Sequence, residues 1–219
     1  MIPAEFTGGW ERISIAVDGG PSCEDMTVWW LQSVTKHADL RVPLAPGGEG
    51  MAFAGTTRWQ APSLTWLPDL EWIPSGELDT GAVSWDGDDL LEAGTTTVDG
   101  REVSYVERWR RMPDSAAPLL AMSRPGGRLV RTGALALTIV DERDTGGTFT
   151  ATARRRVDGA WTVAHRWPAD GLPVKAPQPP PPPLTPLRTA SSVVLDDGAL
   201  WTVDEHSADE THEIAVTHG

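Results

Sequence analysis

Nowhere does this 219-residue chain sustain the 3.6-residue apolar spacing of a long amphipathic helix. Its hydrophobic residues fall instead into short alternating runs, the clearest covering residues 10–17, 26–34, 37–42, 64–72, 83–85, 103–110, 134–140, 148–157 and 161–167. Between them stand Asp18-Gly19-Gly20, Asp86-Gly87, Asp99-Gly100, Gly146-Gly147 and Asp158-Gly159, residues that supply the positive φ of tight hairpins. The pattern predicts an all-β chain of about 8–10 hairpin-connected antiparallel strands. A closed barrel is the favoured arrangement because closure leaves no strand edge unpaired. A chain of this length buries enough surface to fold without metal or disulfide, and its one cysteine, Cys23, has no internal partner.

A break follows residue 175. Residues 176–187 contain five consecutive prolines, Pro179 to Pro183, and read as an extended polyproline linker. Residues 188–219 form an acidic tail with two strand candidates, 192–203 as a hairpin and 212–216. The expected organisation is a barrel over 1–175, the linker, and the tail. Charge follows these divisions: −3 over residues 1–68, −9 over 69–102, +6 over 103–189 and −7 over 190–219, for a net −13. A tail of that sign is expected either to dock on the barrel as a hairpin or to exchange with a second copy, giving a homodimer. The acidic balance argues against nucleic acid as a partner. With no apolar run of membrane-spanning length and no secretory leader at the start, the expected location is cytoplasmic, away from membranes.

Eleven tryptophans stand against three phenylalanines and one tyrosine. Such residues ordinarily fill a core. They also line ligand cavities, because indole offers rigid apolar area, a cation-attracting face and one N–H donor. Trp29 and Trp30 must point to opposite faces of one strand. On another strand Tyr105, Glu107 and Trp109 share a face, and on a third Trp161, Val163, His165 and Trp167 do. A histidine bracketed by tryptophans is desolvated and kept near neutral, which suits a proton acceptor. Asp39 and Arg41 share a face two residues apart, ordinarily an ion pair, and inside a barrel a polar anchor; Gln32 adds an amide beside Trp30. The chain carries no nucleophile elbow, phosphate loop or zinc-protease helix. His206, His212 and His218 are too widely spaced along a strand to hold one ion.

Gly8-Gly9-Trp10 with Arg12, residues 25–32 (Asp-Met-Thr-Val-Trp-Trp-Leu-Gln), 38–43 (Ala-Asp-Leu-Arg-Val-Pro) and 105–110 (Tyr-Val-Glu-Arg-Trp-Arg) resemble the lipocalin-like (calycin) barrels, in particular uncharacterised bacterial and fungal lipocalin-like proteins. The resemblance spans roughly residues 8–170. It implies an antiparallel barrel with a cavity for small apolar molecules, and an arginine from a late strand over the first tryptophan, for which Arg154, Arg156 and Arg166 are candidates. It implies no reaction.

The expected function is therefore binding of a small, largely apolar ligand, without cofactor or metal, in a barrel cavity lined by Trp30, Gln32, Asp39, Arg41, Trp59, Trp66, Trp109, Trp161 and Trp167. The alternative is a cofactor-free cyclase or isomerase of secondary metabolism. There Glu107 or His165 moves a proton and Tyr105 hydrogen-bonds a carbonyl. A third class, an interaction module, uses the proline stretch and tail.

Overall fold

A computed structural model of the chain describes residues 2–74, 76, 78–98, 100–168, 185–186, 192–194 and 199–207. The polyproline run and the strand candidate at 212–216 lie outside the described residues. Eight strands form a closed antiparallel barrel in simple sequence order: β1 (Gly8–Val17), β2 (Met26–Gln32), β3 (Lys36–Pro43), β4 (Met51–Gln60), β5 (Ser63–Glu71), β6 (Asp79–Asp86), β7 (Asp89–Val98) and β8 (Arg101–Arg111). Closure comes from β8 pairing back on β1, with Trp10 opposite Arg111 and Ile15 opposite Glu107. The turns are built as the sequence suggests: Asp18 and Gly19, at the end of β1, both adopt positive φ.

The barrel closes earlier than expected. The expected strands at 134–140, 148–157 and 161–167 are β11 (Leu135–Asp141), β12 (Phe149–Val157) and β13 (Ala160–Trp167), and two strands outside the expected set, β9 (Leu119–Arg124) and β10 (Gly127–Thr132), precede them. All five form a second antiparallel sheet, which β16 (Leu200–His206), β15 (Ser192–Val194) and β14 (Thr185–Pro186) extend from β9. Periodicity reveals that a strand has one apolar face, not which sheet that face covers. The second sheet packs on the outside of the barrel: Trp29, Leu31, Ala38, Leu40, Ala52 and Ala54 meet Leu135, Leu137, Ile139, Phe149, Ala151 and Ala153 in one apolar cluster. This explains the paired tryptophans, because Trp29 faces the second sheet and Trp30 faces the barrel interior, and both are buried.

The N-terminal end of the barrel is plugged. A single-turn 3-10 helix, Ala4–Phe6, sets Phe6 beside Trp59 and Trp85. The Trp10 indole donates to the Phe6 carbonyl (2.9 Å), and the Arg111 guanidinium lies 4.2 Å over the Trp10 ring while donating to the Thr7 carbonyl. The arginine over the first tryptophan is thus Arg111, from the last strand of the barrel. Arg154, Arg156 and Arg166 belong to the second sheet, so the expectation named the right contact on the wrong strands.

The described part of the tail, β16, buries Trp201 with Leu120, Met122 and Leu129. Glu205 accepts hydrogen bonds from the Thr35 amide (2.9 Å) and hydroxyl, at the β2–β3 turn. Among the described residues no helix is long and apolar enough to cross a membrane.

Leu137 is fully buried at the seam between barrel and sheet. Leu137→Ala is expected to lower unfolding free energy by about 2–5 kcal/mol, read by guanidinium denaturation.

Candidate functional site

Inside the barrel, side chains separate by depth. Toward the plugged end, Trp30 stacks near Trp10 (6.0 Å between centroids) and meets Trp66 and Trp109 edge to face at 5.4 and 5.7 Å. Rings from four strands fill this half, with Leu64 and Leu90 between them. A glutamine network borders it. The Gln32 carbonyl accepts from the Trp30 indole (3.2 Å) and the Thr57 hydroxyl (2.7 Å), and its amide donates to the Ser33 and Lys36 carbonyls (both 3.0 Å). Because Thr57 gives its only proton to Gln32, it accepts from His37 Nδ1 at 3.0 Å. Burial, aided by the nearby Lys36 charge, pushes His37 down to about 3, so the ring is neutral.

The other half is polar. Arg12 donates to both oxygens of Glu24 (2.8 and 3.1 Å) and to Glu107 on β8. Burial works against its charge, yet the hydrogen bond it donates to Glu24 and the charge of Glu107 outweigh this and raise the Arg12 pKa. Arg41 Nε donates to Asp39 at 2.9 Å, and the guanidinium carbon sits 5.4 Å from the Phe53 ring centre. Burial again opposes, and the charges of Asp39, Glu107 and Asp79 prevail, so Arg41 is held protonated. Asp39 itself is raised, since burial exceeds the pull of Arg41.

Glu92, opposite Glu107 in the β7–β8 ladder, has no guanidinium of its own among the described residues. Trp109 Nε1 donates to its Oε2 at 3.1 Å, and Tyr105 Oη lies 2.9 Å from its Oε1. Burial, then the charges of Glu107 and Asp79, raise Glu92 well above the usual carboxyl range. Tyr105 Oη also lies 3.3 Å from Asp79 Oδ1. One phenolic proton serves only one of these carboxyls. A protonated Glu92 satisfies all three groups: Glu92 donates to Tyr105, and Tyr105 donates to Asp79. Burial and the same two carboxyls raise the Tyr105 pKa, which keeps that proton in place. Two glycines make the room. A Cβ on Gly94 would stand 2.6 Å from Tyr105 Oη, and one on Gly81 would stand 2.4 Å from Glu92 Cγ.

The chain of hydrogen bonds ends at a cavity. It measures about 180 Å³ at the end of the barrel opposite the plug, between the ends of β3, β5 and β7, the starts of β4 and β6, and the β5–β6 loop. Arg41, Asp79, Phe53, Ile73, Leu78 and Thr96 are among its lining residues, and no tryptophan is. Among the described residues, neither terminal nitrogen of Arg41 donates a hydrogen bond. No group of three metal-ligating side chains occurs among the described residues.

The candidate residues named from sequence therefore divide. Trp30, Gln32, Asp39, Arg41, Trp66, Tyr105, Glu107 and Trp109 come together inside the barrel, and Trp59 packs partly buried at its plugged end. Of these, Arg41 reaches the cavity. Trp161, His165 and Trp167 are not brought to this interior. Strand β13 places the His165 ring 5.1 Å from Trp29 on the outside of the barrel, Trp161 under Arg131, and Trp167 beside Trp72. Burial lowers the pKa of His165 there. Sequence reading missed Asp79, Glu92, Phe53 and His37. A lone Glu92 within the run Leu90-Leu91-Glu92-Ala93-Gly94 was the readable signal for one of them.

No protein-family model matches the chain, and no curated protein does. The crystal structure of an uncharacterized protein of Saccharomyces cerevisiae, YLR301w, is similar to it, with a TM-score of 0.64 over 92% of this chain and 99% of that one at 17% identity. The likeness is one of fold.

A carboxyl with a raised pKa keeps its proton when folded and loses it when unfolded. Its contribution is complete below the unfolded value near pH 4.5 and is lost as pH rises through the folded one, by up to about 1.4 kcal/mol per pH unit. His37, depressed when folded, acts oppositely, its cost appearing as pH falls from 6.5 toward about 3. The other groups titrate alike in both proteins, so Glu92→Gln is expected to lose less stability than the wild type as pH rises above 4.5, measured by denaturant titration at a series of pH values.

Proposed function

We propose that the chain binds a small molecule in the mouth of its β1–β8 barrel. What carries the reading is the cavity of about 180 Å³, where Arg41 and Asp79 meet the apolar Phe53, Ile73 and Leu78. Its size lies between the ~150 Å³ that admits one benzene ring and the ~300 Å³ at which pockets for drug-sized ligands begin. The fitting ligand is one ring or a short branched chain, largely apolar, with a polar head. The tryptophans serve this site from behind: Trp30, Trp66 and Trp109 pack against one another and make a rigid floor for the polar layer. We also read the barrel as lipocalin-like, supported by Gly8-Gly9-Trp10 and by Arg111 stacked over Trp10.

Leu78 is exposed at the rim of the cavity. Screening single-ring and short-chain metabolites by thermal shift should find compounds that stabilise the wild type by about 2.7 kcal/mol at a hundredfold excess over Kd. Leu78→Trp, which fills the mouth, should remove that stabilisation and leave the ligand-free melting temperature unchanged. Compounds that stabilise both proteins equally contradict this location.

A second reading, a cofactor-free isomerase or cyclase, has one specific observation in its favour. The Glu92–Tyr105–Asp79 chain gives the cavity both a proton acceptor and a buried proton reserve. In that case Tyr105→Phe abolishes conversion of a bound compound while leaving its affinity within about threefold; conversion that persists in the variant removes this reading.

A further inference from the structure

We propose that the ligand of the barrel mouth is a zwitterion of the α-amino-acid type, with a side chain the size of leucine or phenylalanine. The inference rests on the binding reading above and adds the chemical class. Charges of both signs line one small cavity, Arg41 against Asp79 and Glu71, and Arg41 and Asp79 each have spare hydrogen-bonding capacity among the described residues. Arg41 is fixed through Nε by Asp39, so its two terminal nitrogens form a planar fork with no hydrogen-bond acceptor among the described residues. A carboxylate matches that fork with two parallel bonds. Asp79 accepts from Tyr105 through Oδ1 only, at a long 3.3 Å, and Oδ2 has no hydrogen-bond donor among the described residues. An ammonium supplies the donors that this carboxylate lacks.

The two groups interact electrostatically across the mouth, yet no ion pair joins them among the described residues. A ligand with one charge satisfies one side of the cavity and leaves the other as it was. An anion alone also enters beside Asp79 and Glu71, and a cation alone enters beside Arg41. A molecule carrying both charges one carbon apart meets neither repulsion uncompensated. Phe53, Ile73 and Leu78 then receive the apolar side chain. Glycine, which has no side chain, leaves that wall uncovered and is expected to bind more weakly than leucine.

The test compares four probes on the full chain by isothermal titration calorimetry: L-phenylalanine, L-leucine, 3-phenylpropanoate, which lacks the ammonium, and 2-phenylethylamine, which lacks the carboxylate. The amino acids should bind at least about ten-fold more tightly than either singly charged probe. Asp79→Asn should cut the affinity for L-phenylalanine by about ten-fold and leave 3-phenylpropanoate unchanged or improved. Arg41→Lys, which keeps a cation beside Asp39, should weaken 3-phenylpropanoate and L-phenylalanine and spare 2-phenylethylamine. Binding of all four probes with equal affinity overturns the zwitterion and leaves the mouth as a binding site. Single-ring or short-chain compounds that bind while all four probes fail also overturn the zwitterion alone. Failure of the four probes together with the whole metabolite screen overturns both.

Discussion

Two neighbouring strands of the barrel, β2 and β3, are buried on both faces, and the remaining architecture follows from that. Trp30 and Asp39 point into the barrel while Trp29, Leu31, Ala38 and Leu40 point outward into the seam with the second sheet. A barrel wall with solvent outside needs only one apolar face. Here the wall is a middle layer, so the second sheet is a continuation of the core rather than an appendage. Glu205 ties β16 to the β2–β3 turn and extends the same fastening.

A wall supported from both sides permits an interior that is expensive in free energy. Five carboxyls, from Glu24, Asp39, Asp79, Glu92 and Glu107, gather around two guanidiniums, Arg12 and Arg41. Buried charge costs several kcal/mol per ion unless paired, so the excess is reduced by keeping Glu92 protonated and giving it neutral donors and acceptors. The result is a mouth whose electrostatics are set by geometry, with the indole-filled half behind it excluding water.

Much of this was written in the alternation of particular residues. Tyr105, Glu107 and Trp109 share the interior face of β8 as their spacing required, and Asp39 and Arg41 pair on β3. Outside the barrel β9 and β10 escaped, and within it β4 and β7, whose Ala52, Ala54, Gly55 and Gly94 have weak β preference. Those small residues sit where layers or side chains come closest: Ala52 and Ala54 against the second sheet, Gly94 under Tyr105. Low intrinsic propensity was therefore the trace of close packing, and a propensity-based reading mistakes it for loop. Losing two barrel strands made later ones seem necessary for closure, which displaced the arginine over Trp10 and drew His165, Trp161 and Trp167 toward an interior they do not enter. Glu92 lay on one of the missed strands, so the proton chain was invisible for the same reason.

Tyr105 sits between two carboxyls with a single proton to give. A group that engaged the Asp79 oxygen facing it would turn the phenol hydroxyl back to Glu92, leave Glu92's own proton without that acceptor and so lower the Glu92 pKa. Occupancy of the mouth and the protonation state of a group deep in the wall are thus thermodynamically linked, each altering the other by the same free energy. Two ligands of equal affinity, one displacing Tyr105 from Asp79 Oδ1 and one leaving it there, would differ in the number of protons their binding exchanges with the buffer.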